Sequence, residues 1–196
     1  MDFLVTNEFL KFRNGLVDSL NKYDVPYKIF GGAVICLLNP ERKTEDLDIM
    51  LKATDEAIEK LCQALDCVGF DSYSNLKEQI NDGPNAGYKL YPKCEEWEGF
   101  HIDLLFDISV FNYDNISARQ IEDRGVIINA VECNDIIKMK NRVNPVPDGR
   151  GGIRYELREK DKEDIKFLSH KYNLDPVTGD INNICCTNLD RGDGND

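Results

Sequence analysis

Two aspartates set two residues apart are the side chains in this sequence best suited to chemistry. Asp46 and Asp48 lie in the run DLDIML at 46–51, which predicts a β-strand. Because strand side chains alternate between faces, both carboxylates share one face, about 7 Å apart, while Leu47 and Ile49 face a core. The two negatively charged carboxylates repel each other unless a cation lies between them. On spacing alone a solvated acidic strand face is the favoured interpretation of the pair, and a divalent-metal site is the alternative.

Two further features favour the metal site. Gly31 and Gly32 precede a predicted short helix at 33–38, where glycines let backbone N–H groups approach an anion such as a phosphate. Asp103 lies in the apolar run FHIDLLF at 100–106, and a carboxylate beside a core is tolerated chiefly when it is paired or bound to metal. Three carboxylates that bind metal beside a phosphate-binding turn are suited to phosphoryl or nucleotidyl transfer.

The elements that must position these residues follow from periodicity. Apolar residues at helical spacing predict helices, and short apolar runs bounded by turn formers predict strands. A loop rich in proline and glycine, at 144–152, separates the last two predicted helices. The predicted helices are one that begins near Phe9 and ends near 23–26, and others at 33–38, 54–67 with Thr54 as N-cap, 134–142 with Asn134 as N-cap, and 155–172. The strands are predicted at 27–30, 46–51, 88–91 and 100–106, with mixed extended structure at 116–129.

Composition limits the classes of function. The chain has 196 residues and a net charge of −12, which suits one domain with a small appendage and disfavours broad contact with nucleic acid or anionic membrane. No run approaches the length of a membrane span, and charges interrupt the first 20 residues, unlike a signal peptide. The seven cysteines are scattered without a CxxC pair, which indicates reduced thiols and a cytoplasmic location.

The spacing of the first motif resembles one known superfamily. Gly-Gly followed by Arg42-x-Thr44-x-Asp46-Leu-Asp48, and then a lone Asp103 in a later apolar strand, resembles the polymerase-β-type nucleotidyltransferases. Within that superfamily the chain is similar to the stand-alone branch that contains the toxins of AbiE-type abortive-infection systems and DUF6036-like proteins. The resemblance implies an α/β (α+β) fold, in which a small mixed sheet is flanked by helices and followed by C-terminal helices.

A distal pattern extends the resemblance. That branch has an apolar-Met-Lys helix followed by Arg-x-Lys-Asp-x-x-Asp, and this chain has Met139-Lys140 and then the matching residues at 158–164. The resemblance implies that Asp46, Asp48 and Asp103 are catalytic and hold two Mg²⁺ ions. The residues to which it gives nucleotide-binding roles are Gly31, Gly32, Ala33, Arg42, Thr44, Lys140, Arg158, Lys160 and Asp161.

The implied activity is transfer of NMP from an NTP such as ATP to a hydroxyl acceptor, with release of pyrophosphate. The acceptor would be tRNA or protein, as for a toxin, and an antitoxin-like partner is implied. Small-molecule modification of the antibiotic type is the alternative, as is a catalytically silent nucleotide-binding or interaction module. The implied division is a nucleotidyltransferase core at 1–130, a helical segment at 131–172 that completes the cleft, and a flexible tail at 173–196.

Three other features allow two interpretations each. His101 shares the face of Asp103 and could relay a proton, but a strand histidine with ordinary hydrogen bonds is the favoured interpretation. The charged run at 160–164 is a solvated helix face on pattern alone, or supports the site if the resemblance holds. Trp97 is favoured as a core or hairpin aromatic over a base-stacking residue.

Overall fold

The computed structural model describes residues 7–70, 76, 87–106, 111–142, 145–147, 149–150 and 153–180. The described helices are α1 Asn7–Lys22, α2 Gly31–Leu38, α3 Asp55–Cys67, α4 Cys133–Lys140 and α5 Glu159–Tyr172, with a 3₁₀ turn at Glu95–Trp97. The described strands are β1 Tyr27–Ile29, β2 Asp46–Leu51, β3 Tyr88–Leu90, β4 His101–Leu105, β5 Ala118–Asp123, β6 Val126–Val131, β7 Pro145–Pro147 and β8 Ile153–Tyr155.

Six strands form a mixed sheet in the order β3-β4-β2-β1-β6-β5, and β7 pairs with β8 apart from it. Within the sheet, β2 runs parallel to β4 and antiparallel to β1, while β1 runs parallel to β6. Helices α1 and α3 pack against each other, α2 contacts β2, and α4 contacts α5. The predicted fold class, a small mixed sheet flanked by helices, is confirmed.

Local sequence explains most of these elements. In α1 the residues at helical spacing, Phe9, Phe12 and Leu16, are fully buried, so the predicted apolar stripe is the face that packs on the core. At the start of α3 the Thr54 hydroxyl accepts a 3.2 Å hydrogen bond from the Ala57 N–H. This bond satisfies one of the free donors of the first turn, and the predicted cap is confirmed.

Two predicted helix starts are wrong. Residues 153–155 pair with Pro145–Pro147 as a hairpin. Helix α5 therefore begins at Glu159, and part of the predicted loop is strand. Helical periodicity does not reveal this strand pairing. Helix α4 begins at Cys133 because the Glu132 N–H donates to the Ser117 carbonyl at 2.9 Å, which holds residue 132 extended. Asn134 therefore lies inside the helix and is not its cap.

The chain after residue 130 is continuous with the sheet, since β6 runs to Val131. Leu174 is buried, and the Asn141 side chain donates to the Pro176 carbonyl at 3.0 Å. Residues 181–196 of the predicted tail lie outside the described residues, and the predicted divisions at 130 and 172 stay predictions. No helix in the described ranges combines the length and apolar character needed to cross a lipid bilayer.

Candidate active site

The three predicted catalytic carboxylates converge on one face of the sheet. In the parallel pairing of β2 with β4, Asp48 lies opposite Asp103 and Asp46 lies opposite His101. Their neighbour Leu47 is fully buried on the other face, so the alternation places all four polar side chains on the same, solvent-accessible side. We call Asp46, Asp48 and Asp103 the acidic wall.

Burial and mutual repulsion shift the pKa values within the acidic wall. Burial, and then the negative charges of Asp46 and Asp103, raise the pKa of Asp48 to about 7, although the Gly32 N–H opposes the rise. Burial also acts on Asp46, but the Thr44 hydroxyl and the charge of Lys160 outweigh it and lower the pKa of that carboxyl. A carboxyl group whose neighbours resist its ionisation has the electrostatics expected of a site that holds a divalent ion.

The glycine pair is fixed by the carboxylate beside it. Helix α2 begins at Gly31, whose φ is +63°, a conformation that favours glycine. A Cβ atom on Gly31 would overlap the carboxylate of Asp48, and one on Gly32 would lie 2.8 Å from Thr44 Oγ1. The Gly32 N–H donates to Asp48 Oδ2 at 3.3 Å. The predicted turn is thus the first turn of the helix, and Ala33 is buried within it.

A second wall of the cleft is basic, and we call Arg42, Lys140, Arg158 and Lys160 the basic wall. Arg42 comes from the loop between α2 and β2, and Lys140 ends α4. Arg158 and Lys160 lie at the start of α5. Segments more than 100 residues apart in the sequence therefore present their cations to one cleft. Together with the acidic wall, this cleft is lined by Phe30, Gly31, Gly32, Thr44, Ile136 and Met139.

Two buried carboxylates hold the basic wall in place. Asp164 is 2% exposed and accepts hydrogen bonds from Arg42 at 2.8 and 3.2 Å. It also lies 2.8 Å from Lys140 Nζ. Asp161 is fully buried and accepts from Lys140 at 2.8 Å and from Arg158 at 2.6 and 3.1 Å. Burial alone would raise the pKa of Asp161, but these cations outweigh it and hold the pKa below its usual range.

The structure therefore brings nearly all of the predicted site residues together. Ten line the cleft; Ala33 lies inside α2, and Asp161 lies beneath the cleft, where it orients two cations rather than facing it. The run at 160–164 is divided by burial, because Asp161 and Asp164 are buried while Lys160, Lys162 and Glu163 are exposed. The roles of these residues in binding and catalysis remain predictions.

One residue of the site, Lys89, escaped the sequence interpretation, and His101 was interpreted there mainly as an ordinary strand histidine. Lys89 on β3 lies 3.5 Å from Asp103 Oδ1, and its position opposite Asp103 depends on strand pairing that no local pattern reveals. Within the described part of the chain, His101 Nε2 is buried and forms no hydrogen bond. Ligand atoms of Asp46, His101 and Asp103 all lie within 4.8 Å of one another, so these residues fit a metal ion. Trp97 packs against Phe12, as a core aromatic does.

Comparison with known proteins identifies the fold. The sequence matches no protein-family model and no curated protein. The structure resembles two structures of the antibiotic-resistance factor ANT(2″)-Ia, one of them in complex with adenylyl-2″-tobramycin. The complex has 12% sequence identity and a TM-score of 0.53, with 85% of this chain and 90% of that chain covered. The other, a solution structure, has 13% identity and a TM-score of 0.55, with 87% and 85% covered.

A third likeness is to an antigenic nucleotidyltransferase-like protein from Paracoccidioides brasiliensis, with 16% identity, a TM-score of 0.50 and coverage of 85% of this chain and 76% of that chain. At these identities the likeness concerns the fold. The chain has the nucleotidyltransferase fold, as the resemblance of its first motif implied. The narrower resemblance to the branch of AbiE-type toxins stays a prediction from the motifs.

Proposed function

We propose that this protein is a Mg²⁺-dependent nucleotidyltransferase that moves NMP from an NTP to an acceptor hydroxyl and releases pyrophosphate. The observation that carries the proposal is the meeting of the acidic wall, the glycine pair and the basic wall in one cleft. Carboxylates suit hard divalent ions, and cations with helix N–H groups suit a triphosphate. A solvated acidic strand face would have neither the second wall nor the buried carboxylates that order it.

Each part of the cleft has a defined task in this reaction. Asp46, Asp48 and Asp103 would hold two Mg²⁺ ions, which supply charge neutralisation and polarise the reacting oxygens when bound. The basic wall and the first N–H groups of α2 would bind the β- and γ-phosphates. The acceptor oxygen forms a bond to the α-phosphorus as the bond to the β-phosphate oxygen breaks. Asp103 would accept the hydroxyl proton, and pyrophosphate leaves.

The motif resemblance supports a toxin-like acceptor, either tRNA or a protein, and an antitoxin-like partner. The distal residues carry this part of the proposal: Lys140, Arg158 and Asp161 match the branch in sequence and form one hydrogen-bonded cluster. Their cations extend the phosphate-binding surface beyond the glycine turn, on the side of the cleft formed by α4 and α5.

A small-molecule acceptor is the second candidate, and two observations favour it. One structure with this fold holds an adenylylated antibiotic, and the match covers 90% of that chain. The net charge of −12 also suits a cationic small molecule better than a polyanionic RNA.

Transfer assays with each α-³²P-labelled NTP would test the proposal. The acceptors would be bulk tRNA, a mixture of cellular proteins, and a panel of aminoglycosides. We expect label on one acceptor class with the wild type, and none with Asp48→Ala. Asp114→Asn is the matched control, because it removes a carboxylate that is 70% exposed and is not among the residues that line the cleft. If no NTP is transferred although nucleotide binds, the protein is a silent binding module and the proposed reaction is wrong.

A further inference from the structure

His101 lies opposite Asp46 at the acidic wall, and the proposed reaction does not yet use it. Its side chain is 17% exposed, yet its Nε2 atom is buried and, within the described residues, forms no hydrogen bond. A buried polar atom without a partner costs free energy and is uncommon in folded proteins. Among the described residues, Nε2 therefore lacks the hydrogen bond that the interpretation favoured by the sequence expects of it.

The surroundings of Nε2 are those of a metal ligand. It lies 3.6 Å from Asp103 Oδ1, too far for a hydrogen bond, and within 4.8 Å of an Asp46 oxygen. Two ligands that each bind an ion at 2.0–2.2 Å with a tetrahedral angle are about 3.4 Å apart. The separation between His101 and Asp103 agrees with this value. The ring of the exposed Tyr91 packs 5.6 Å from the imidazole ring and helps to fix its orientation.

The chemistry of an imidazole ligand differs from that of the carboxylates. Mg²⁺ is bound in proteins by oxygen atoms, whereas imidazole nitrogen suits transition-metal ions such as Zn²⁺. Mn²⁺ prefers oxygen ligands but accepts an imidazole more readily than Mg²⁺ does, and its unpaired electrons make it a probe for EPR. Asp46 and Asp48 offer oxygen alone. On the neighbouring strand β4, His101 lies opposite Asp46 and Asp103 lies opposite Asp48, and His101 adds nitrogen to the set. The two halves of the acidic wall thus have different preferences.

We propose that His101 is a metal ligand and that Asp46, His101 and Asp103 form a site selective for a transition-metal dication over Mg²⁺. This inference deepens the proposed function, on which it rests for the metal dependence of the cleft. It replaces one of the two Mg²⁺ ions of the proposed function with a transition-metal ion and leaves Mg²⁺ at the position that includes Asp48. A proton relay through His101 would not require this selectivity.

Replacement of Lys89 should have the opposite effect on metal binding to replacement of His101. Its Nζ lies 3.5 Å from the same Asp103 oxygen, so its positive charge competes with a metal ion for that ligand. The side chain is 48% exposed, which lets it be replaced with little effect on packing. Lys89→Met should therefore tighten binding of the transition-metal ion several-fold, whereas Lys11→Met, an exposed change on α1, should not.

Pulsed EPR of bound Mn²⁺ tests the ligand directly, without any need for turnover. The chain contains only two histidines, and His170 is exposed on α5, so His170→Gln is a matched control. We expect imidazole-nitrogen modulation of the Mn²⁺ signal in the wild type and in His170→Gln, and its loss in His101→Gln. Titrations should show Mn²⁺ binding weakened about tenfold or more in His101→Gln, with Mg²⁺ binding changed less than about twofold.

The outcomes separate this inference from the proposed function. Bound Mn²⁺ without nitrogen modulation in the wild type would overturn the role of His101, and nucleotide transfer measured with Mg²⁺ would be unaffected. Equal weakening of Mn²⁺ and Mg²⁺ binding in His101→Gln would overturn the claim of selectivity. Failure of the wild type to bind Mn²⁺ at all would remove the inferred site. Thermal unfolding of each variant would show that a lost signal does not come from a lost fold.

Discussion

Replacement of Asp48 by asparagine should stabilise the metal-free protein, and by more at high pH than at low pH. The pKa of this carboxyl is about 7 in the folded chain against an ordinary value of 3.8, because burial and two neighbouring carboxylates oppose its ionisation. Between these values the folded state binds more protons than the unfolded state, so stability falls as pH rises through this range. Asparagine keeps the shape of the neutral acid and removes the penalty.

The magnitude follows from the two pKa values. With a folded pKa near 7, the penalty in the wild type is about 1.7 kcal/mol at pH 5 and about 4 kcal/mol at pH 8. The advantage of Asp48→Asn should therefore grow by up to about 2.5 kcal/mol between these pH values. Because the cleft is open to solvent and water screens the three charges, we expect a measured growth of at least about 1 kcal/mol.

Urea unfolding followed by circular dichroism at pH 5, 6, 7 and 8, with EDTA present, measures this difference. Asp114→Asn removes an exposed charge and should change stability by less than about 0.5 kcal/mol at every pH. Addition of Mg²⁺ at pH 8 should raise the midpoint of the wild type and leave Asp48→Asn nearly unchanged, since the ion binds the ionised form. An advantage of Asp48→Asn that is constant with pH would refute the electrostatic argument for the acidic wall.

Three further substitutions test the supports of the cleft. In chemical denaturation, Gly31→Ala should destabilise the fold by about 2 kcal/mol or more. Gly99 is also at positive φ, but no atom lies within 4 Å of the Cβ that alanine would add there. Gly99→Ala should therefore destabilise the fold by only about 1 kcal/mol. Thr44→Val should raise the pKa of Asp46, to which the Thr44 hydroxyl donates, and should weaken Mg²⁺ binding in calorimetry. Thr44→Ser keeps the hydroxyl and should bind Mg²⁺ as the wild type does. Asp164→Asn should lower the free energy of unfolding by about 2–4 kcal/mol, since it leaves two cations with one buried partner fewer. Glu159→Gln changes an exposed pair and should lower it by less than about 0.5 kcal/mol. Equal effects of the two substitutions would contradict the buried-network argument.

The sequence predicted those parts of the fold and site that depend on neighbours along the chain. The stripe of α1, the cap at Thr54 and the strand of Asp46 and Asp48 are each specified by fewer than about 20 consecutive residues. The shared face of the two aspartates follows from strand geometry alone. The convergence of Asp103 with that pair was an expectation from the resemblance, and the parallel pairing of β2 with β4 provides its physical basis.

The parts that local patterns did not reveal depend on pairing between separate segments. The β7–β8 hairpin pairs residues that are 6–10 positions apart across a loop rich in glycine, and it replaces the first turn predicted for α5. Lys89 reaches Asp103 only through the register of β3 with β4. The charged run at 160–164 looked uniform in sequence, but α4 and the loop after α2 bury its two aspartates by supplying cations.

The charge balance of the cleft gives a reason for the order in which ligands would bind. The basic wall has four cations and is paired with two buried carboxylates, which leaves a charge of +2; the acidic wall contributes −3 when fully ionised. The sum of −1 makes the metal-free cleft a poor receptor for a triphosphate, which carries about four negative charges. Two divalent ions change the sum to about +3, which complements the nucleotide. Nucleotide binding should therefore depend strongly on prior or simultaneous binding of metal. If the wild type bound ATP equally well in EDTA and in Mg²⁺, the acidic wall would not be acting as the metal-dependent half of the receptor.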